Sequence, residues 1–332
     1  MITSFAPGRV NLIGDHTDTT GGLALPMAIH LGTTVTGERG GDRVVLRSAS
    51  EPEVADVPLD VDDPASISPG WARYVAGVVA ELRPAVGFTG SVDTTLPIGA
   101  GLSSSAALEV AVALALGADG DPRAVALACQ RAEQRASGVP CGVMDQLASV
   151  AGVDGHALLI DCRSLDITPV PIPHDAEIVA VHSGEARRLV GSAYAERRAA
   201  VEAAERVVGP LRDLASVADL DQLSDPVLRR RARHVVTENQ RVRAFAAALS
   251  EGDLEAAGAL MAESHASLAD DFEVSTTRLD ELATELSARP GVFGVRLTGA
   301  GFGGCVVALA RPGAVDVGWP LRAAAGASVT ET

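Results

Sequence analysis

The sequence contains no lysine, so all 27 residues of the Lys and Arg class are arginine. This absence excludes a Walker loop, which needs a G-K-[ST] lysine at the phosphates, and any mechanism through a lysine Schiff base. The four cysteines also lack C-x-x-C spacing and lie in apolar surroundings (Cys129, Cys141, Cys162 and Cys305). We therefore predict reduced core thiols rather than a disulfide framework or a metal site.

Long apolar runs are missing as well, and we expect no signal peptide. No uninterrupted apolar stretch approaches the roughly 20 residues that cross a bilayer, and the first residues lack the basic and apolar regions of a signal peptide. We expect a cytoplasmic protein without a membrane partner. The formal net charge of −16 argues against nucleic acid as a partner. It does not exclude a small anion, because fields beyond about 8 Å are screened at physiological salt.

Length and composition describe an ordinary globular protein of two domains. The chain has 332 residues, of which 47% are hydrophobic and 21% charged. That length is enough for a sizeable core and for more than one domain. We predict a first domain over residues 1–165 and a second over residues 166–332.

The main chemical signal is the segment Pro97–Ala107, P-I-G-A-G-L-S-S-S-A-A, between a predicted strand and a predicted buried helix. Gly99 and Gly101 permit close backbone approach, and the N-terminus of a helix favours an anion. The serines can cap the helix or ligate a metal. A capped helix after a glycine turn is the alternative. Ser104 stands where a dinucleotide fingerprint has its third glycine, which argues against dinucleotide binding. Because a Walker loop is also excluded, we favour ATP phosphates bound with magnesium.

Three further stretches carry candidate ligands. Asp15, His16 and Asp18 lie within four positions of an early loop, where they can hold a metal or a polyol, or form a solvated turn. Glu133 lies near the end of a predicted helix, where its charge opposes the macrodipole and invites a cation such as Mg²⁺. A plain exposed glutamate is the alternative. Asp145 begins a predicted short helix.

Periodicity and capping residues predict several other elements. Trp71 and Tyr74 fall on an apolar helix stripe that ends at Pro84, so we expect both aromatic rings to pack in the core. Long helices are predicted around residues 187–208 and 226–249, and a later helix is predicted to be capped by Ser275. Four glycines within residues 299–304 suggest backbone packed against a ligand or another loop.

Three ordered segments resemble the three motifs of the GHMP small-molecule kinases, and within them most closely the galactokinases. They are G-R-V-N-L-I-G-D-H-T-D (Gly8–Asp18), P-I-G-A-G-L-S-S-S-A-A (Pro97–Ala107) and L-T-G-A-G-F-G-G (Leu297–Gly304). Similar segments are C-G-V-M-D-Q (Cys141–Gln146), R-H-V-V-T-E-N (Arg233–Asn239) and the stretch Glu263–Ser275. The resemblance implies an α+β fold, with an N-terminal ribosomal-protein-S5-like domain, a C-terminal ferredoxin-like domain and the active site in the cleft between them.

The resemblance further implies an ATP-dependent sugar 1-kinase that uses Mg²⁺ and converts D-galactose to galactose 1-phosphate. It assigns Asp145 as the catalytic base, which either abstracts the proton of the anomeric hydroxyl or only orients it, with Arg9 beside it. The implied sugar contacts are Asp15, His16, Asp18, Gly142 and Tyr194. The implied phosphate contacts are Gly99, Ala100, Gly101, Leu102, Ser103, Ser104 and Ser105, and the implied magnesium ligands are Ser105 and Glu133. These groups suit phosphoryl transfer, which needs mainly positioning and charge neutralisation.

The early loop departs from the galactokinase pattern. It reads G-D-H-T-D-T-T where the family has G-E-H-T-D-Y-N, so Asp15 is one methylene shorter and Thr19 replaces an aromatic side chain. A kinase for a related sugar, such as L-arabinose, another hexose or an N-acetylhexosamine, is therefore the alternative. A non-catalytic sugar sensor is a third hypothesis, although such sensors carry a damaged serine-alanine stretch and residues 103–107 are complete here. We expect a monomer or a weak homodimer.

Overall fold

The structure is a computed structural model that describes residues 1–97, 99–185 and 190–332. Helices and strands are mixed along the chain, which confirms the predicted α+β class. The strands are β1 (Ile2–Asn11), β2 (Leu23–Ala24), β3 (Pro26–Arg39), β4 (Arg43–Ser48), β5 (Ala55–Pro58), β6 (Phe88–Thr94), β7 (His156–Asp161), β8 (Asp166–Pro171), β9 (Glu177–His182), β10 (Val292–Leu297), β11 (Cys305–Ala310), β12 (Trp319–Leu321) and β13 (Ser328–Glu331). The helices are α1 (Ala72–Leu82), α2 (Ser104–Ala115), α3 (Pro122–Ser137), α4 (Met144–Ala151), α5 (Val190–Val208), α6 (Pro226–Glu251), α7 (Leu254–Asp270) and α8 (Thr277–Ser287).

The first half is built on a six-stranded sheet of order β13-β1-β3-β6-β4-β5. Its pairs are antiparallel except β4 with β6, which run parallel. Helix α2 is buried on most of its surface, because it packs against strands β1 and β3 of the sheet and against helices α1 and α3. The start of α2, where the glycine-serine loop (residues 99–103) ends, is thereby fixed against β1.

The second half is built on a four-stranded sheet of order β10-β11-β9-β12. Strand β11 is buried along its whole length, as its run of apolar residues predicts for a central strand. A separate apolar core lies where these strands meet α6 and α8, and it includes Phe272. The chain turn after β10 carries residues 298–304 toward the first half.

A three-stranded sheet of order β2-β7-β8 contacts both halves, through β3 on one side and α6 on the other. The division at residue 165 stays a prediction, and two strand pairs cross it, β8 with β7 and β13 with β1. The second half of the chain therefore contributes strands to sheets that begin in the first half.

Several of the described helices begin at a residue whose side chain caps the first turn. Asp121 and Asp225 accept hydrogen bonds from the first-turn amides of α3 and α6, with a proline next in each. The predicted cap at Ser275 is wrong: Thr276 caps α8 through Leu279 N–H, while the Ser275 hydroxyl bonds to a side chain within that helix. The predicted helix over residues 187–208 begins in the structure at residue 190, and residues 186–189 lie outside the described part. None of the helices in that part is both long enough and apolar enough to cross a membrane.

Candidate active site

A cleft of about 520 Å³ lies between the two halves and collects nearly every residue that the sequence singled out. The predicted residues that line it are Arg9, Asp15, His16, Asp18, Gly99, Gly101, Ser103, Ser104, Ser105, Glu133, Gly142, Asp145 and Tyr194. Ala100 and Leu102 do not line it. Both residues are 2% exposed and belong to the core, so they can offer only backbone to a ligand.

Arg9 and Asp145 form a two-pronged ion pair in this cleft. Arg9 lies on β1, and its Nε and NH2 atoms donate to Asp145 Oδ1 and Oδ2 over 2.8 and 2.6 Å. The third nitrogen, NH1, donates to Gly101 O over 2.8 Å, which ties the pair to the glycine-serine loop. The pairing of an always-charged guanidinium with this carboxylate fixes both groups in one plane. Asp145 in the first turn of α4 is thus held in a single orientation, and the short-helix prediction is confirmed.

The glycine-serine loop brings backbone amides to the cleft. Gly99 and Gly101 both have positive φ values, 78° and 81°, which residues with a side chain rarely adopt. The loop ends at the first turn of α2, whose free N–H groups and dipole favour a negative charge. The alternative of a plainly capped helix is not what the structure has, because Ser103 makes no side-chain cap bond to α2.

Ser105 and Glu133 face each other across this turn. Ser105 Oγ donates to Glu133 Oε1 over 2.9 Å, and Gln146 Nε2 donates to Glu133 Oε2 over 2.6 Å. Burial and the neighbouring Asp145 raise the pKa of Glu133. The Gln146 amide nitrogen also lies 3.4 Å from a carboxylate oxygen of Glu109. Glu109 is fully buried, and this burial raises its pKa well above the ordinary value. Mg²⁺ prefers oxygen ligands, and the Ser105 hydroxyl and the Glu133 carboxylate are oxygen groups with little positive charge beside them.

Asp18 and Gly142 meet at the far end of the cleft. A Cβ at position 142 would overlap the Asp18 carboxylate, so any residue larger than glycine would displace that side chain. Burial, followed by the charges of Asp145 and Asp15, raises the pKa of Asp18 to about 6. Its one hydrogen bond among the described residues comes from Thr19 N–H to Oδ1, over 2.9 Å. Asp18 therefore keeps acceptor capacity for a ligand.

Asp15 is held by protein groups instead. Its Oδ1 accepts from Gly299 N–H over 3.0 Å, and its Oδ2 lies 2.6 Å from Arg296 NH2. Arg296 is completely buried, and Asp15 is 2% exposed. The two opposite charges compensate each other by direct contact, as buried charges must, and Arg296 also donates from Nε to Ser264 Oγ over 3.2 Å. Gly299 opens the glycine-rich loop (residues 298–304), so the suggestion that this loop packs against another loop is confirmed.

His16 faces the same end of the cleft from a left-handed backbone, with φ at 65°. Its ring lies between those of Phe272 and Tyr194, with centroids 4.6 and 5.7 Å away. Burial, followed by the neighbouring His234 and Arg296, lowers the pKa of His16 to about 3, so the ring is neutral near pH 7. Its Nε2 atom has no hydrogen-bond partner within the described residues. A buried polar atom without a partner at a cleft fits a hydroxylated ligand.

Helix α6 supports the acidic loop (residues 14–22) from behind the cleft. The carboxylate of Glu238 accepts from Gly14 N–H over 3.0 Å, and Asn239 Oδ1 accepts from Leu23 N–H over 2.7 Å. His234 Nε2 lies 3.1 Å from Asp15 O. All three α6 side chains belong to buried residues, at 2% exposure or less. The second half of the chain thus shapes a loop that belongs to the first.

A second cavity of about 360 Å³ adjoins the cleft and shares Tyr74, Ser104 and Ser105 with it. Trp71 lines it too, with its indole nitrogen donating to Glu53 O over 3.1 Å. The prediction of core packing is confirmed for Trp71, but both aromatic rings also line this cavity. Trp71 does pack against the apolar core of the first half, but both rings are only half-buried at the cavity, which helical periodicity could not reveal.

Several contributing residues escaped the sequence reasoning. Arg296 supports Asp15, Gln146 holds Glu133, and Tyr74 joins the two cavities. A charge inside the apolar strand around Arg296 was an available signal, since charges are rarely buried unless paired. Glu109, an acid within the apolar run of α2, was a second available signal.

Comparison with known proteins extends these observations. The description "Galactokinase galactose-binding signature" matches residues 2–39, "GHMP kinases N terminal domain" residues 73–153 and "GHMP kinases C terminal" residues 245–317. A galactokinase from Homo sapiens is 45% identical over 324 residues, covering 92% of this chain and 82% of that protein. The crystal structure of Lactococcus lactis galactokinase complexed with galactose superimposes with a TM-score of 0.89 at 32% identity, over 98% and 95% of the two chains. A mevalonate kinase structure shares the fold, with a TM-score of 0.66 at 20% identity over 95% and 92%.

Proposed function

This chain belongs to the galactokinases within the GHMP kinases, and we propose that its cleft transfers the γ-phosphoryl group of ATP to the anomeric hydroxyl of D-galactose. The observation that carries the proposal is the meeting of three features in one cleft: the Arg9–Asp145 pair, the first turn of α2, and the polar groups of Asp18 and His16. Among the described residues, Asp18 accepts one hydrogen bond and His16 Nε2 has no partner. An anion site and a polyol site face the same carboxylate.

The acceptor sugar binds at the end of the cleft formed by the acidic loop. Asp18 accepts sugar hydroxyls, which its unfilled acceptor sites favour, and His16 Nε2 bonds to a further hydroxyl. Gly142 leaves the room that Asp18 needs, and Tyr194 covers the ring of His16. Asp15 supports the sugar-binding end of the cleft rather than offering its carboxylate to the sugar, because that carboxylate is committed to Arg296 and Gly299.

The phosphates bind at the glycine-serine loop and the first turn of α2. The loop offers backbone amides from Gly99 to Ser105, and Arg9 is the cation beside it. Ser105 and Glu133 would hold Mg²⁺ together with phosphate oxygens and water, which is the usual way that this ion is bound. When bound, Mg²⁺ neutralises charge on the transferring phosphoryl group.

The nucleotide base lies in the second cavity. Trp71 and Tyr74 give that cavity an aromatic lining, and Ser104 and Ser105 connect it to the phosphate loop. This volume of about 360 Å³ is the space next to the phosphates that is large enough for a base and ribose.

In the reaction, Asp145 receives the hydrogen bond of the acceptor hydroxyl and orients its oxygen toward the γ-phosphorus. Arg9 fixes that carboxylate through two hydrogen bonds and adds positive charge at the transferring group. Phosphoryl transfer through a loose transition state depends chiefly on such positioning. The proton leaves the hydroxyl for Asp145 as the new O–P bond forms and ADP departs.

The test is ADP release by the purified protein with ATP, Mg²⁺ and a panel of sugars, followed by identification of the phosphorylated carbon by NMR. We expect D-galactose to have the highest kcat/KM and the product to be the 1-phosphate. Preference for L-arabinose, another hexose or an N-acetylhexosamine would instead reflect the Asp15 and Thr19 departures. Sugar binding without ADP release from any sugar contradicts the kinase assignment.

A further inference from the structure

The backbone conformation and the hydrogen bonding of Ser103 are not those expected of a serine at a helix N-terminus. It is the N-cap of α2, with φ 59° and ψ 49°, a left-handed conformation that glycine adopts more easily. Serine is a preferred N-cap because its hydroxyl accepts a first-turn amide, yet Ser103 makes no such bond. The hydroxyl instead donates to Asp145 Oδ2. Ser103 is 9% exposed, so water competes little for this bond.

The donors around Asp145 are unequal on its two oxygens. Oδ2 accepts from Arg9 NH2 and from the Ser103 hydroxyl, whereas Oδ1 accepts only from Arg9 Nε among the described residues. Each carboxylate oxygen has two lone pairs in the plane. These donors therefore fill both lone pairs of Oδ2 and leave one on Oδ1 for a ligand.

We propose that Ser103 is a positioning residue that makes Asp145 Oδ1 the single oxygen available to the acceptor hydroxyl. This inference rests on the proposed sugar kinase function and deepens it. By blocking Oδ2, Ser103 removes a second binding mode in which the hydroxyl would point away from the γ-phosphorus.

The assignment also defines the path of the proton. The acceptor O–H bond breaks as its oxygen bonds to the γ-phosphorus, and the bond from that phosphorus to the bridging oxygen of ADP breaks. The proton passes to Asp145 Oδ1, and from there to solvent after the sugar phosphate leaves. Ser103 keeps its own proton throughout, so it is not a relay.

The test is the substitution Ser103→Gly, which removes the hydroxyl and suits the left-handed backbone. We expect kcat for the sugar to fall roughly 10- to 100-fold, the range for a lost hydrogen bond to a charged group. The KM values for sugar and ATP stay within about threefold, and the melting temperature does not fall. A structural role predicts an unchanged kcat, and a role in holding phosphate predicts a raised KM for ATP.

Two further variants sharpen the result. In the Asp145→Asn background, Ser103→Gly lowers the remaining kcat by less than about threefold, because the two residues act as one unit. Arg83→Gly is the matched control, since Arg83 also has a left-handed backbone (φ 47°) at a helix end but lies outside the cleft. It leaves kcat unchanged.

The outcomes separate the inference from the function beneath it. A wild-type enzyme that phosphorylates a sugar, with Ser103→Gly equally fast, overturns the inference alone. An equal loss in the Asp145→Asn background also overturns it. A wild-type protein that phosphorylates no sugar overturns the proposed function and this inference together.

Discussion

Asp18 lowers the stability of the free protein, and replacing it by asparagine should raise that stability in a pH-dependent way. In the folded protein the half-buried carboxyl of Asp18 is partly shielded from solvent and faces Asp145 and Asp15, which raises its pKa from the ordinary 3.8 to about 6. The folded state therefore holds a proton more tightly than the unfolded chain does. Stability is lost as pH rises from about 4 through 6, since the ionised form is the one that burial disfavours.

The size of the effect follows from the same two pKa values. At about 1.4 kcal/mol per pH unit, the difference between them costs about 3 kcal/mol once both states are ionised. An asparagine side chain at this position would carry no charge and would keep an oxygen for Thr19 N–H, the bond that Asp18 Oδ1 now accepts. We expect Asp18→Asn to raise the free energy of unfolding by about 2 to 3 kcal/mol at pH 7.5 and by almost nothing below about pH 4.

Urea unfolding of the ligand-free protein between about pH 4 and pH 7.5 measures this difference. Asp119→Asn is the control, because Asp119 lies in an exposed loop and loses the same formal charge. The control measures what the loss of one exposed carboxylate outside the cleft does to the free energy of unfolding at each pH. A gain for Asp18→Asn that does not change with pH, or a loss at the upper end of this range, would refute the reasoning. The same variant should bind galactose at least roughly tenfold more weakly, since the sugar loses a charged acceptor.

Three other substitutions test the cleft. Asp145→Asn should lower kcat by about 10²- to 10⁴-fold with an unchanged melting temperature, and normal turnover would remove Asp145 from the mechanism. Gly142→Ala places a methyl group on the Asp18 carboxylate, so in steady-state kinetics the sugar KM should rise at least roughly tenfold while the ATP KM stays constant. Arg296→Met leaves Asp15 buried without its cation and should lower the free energy of unfolding by about 3 to 5 kcal/mol; a loss below about 1 kcal/mol by urea unfolding contradicts the buried pair.

Local signals explain why much of this cleft was predictable. The glycine-serine loop was recognisable because an anion site at a helix N-terminus needs little beyond a short stretch of chain. The resemblance to the kinase motifs then supplied residues that no local pattern connects, such as Arg9 with Asp145.

What could not be predicted depends on contacts between distant parts of the chain. Trp71 and Tyr74 have the spacing of core residues, and periodicity reports that a face is covered without saying whether by protein or by a ligand. The ion pair between Asp15 and Arg296 forms because β10 packs against the first half of the chain, and this long-range contact leaves no local signal in the sequence. The unequal number of hydrogen-bond donors on the two carboxylate oxygens of Asp145 could be seen only in the atomic positions.

Helix α6 shapes the acidic loop without lining the cleft itself, and this separation has a consequence for evolution. Its buried side chains at positions 234, 238 and 239 shape the acidic loop, yet none of them lines the cleft. Exchanges on that hidden face can alter which acceptors are taken while the phosphoryl-transfer groups in the first half stay intact. Directed evolution toward new sugars therefore has a compact target in a few neighbouring positions along one helix, remote from the reacting atoms.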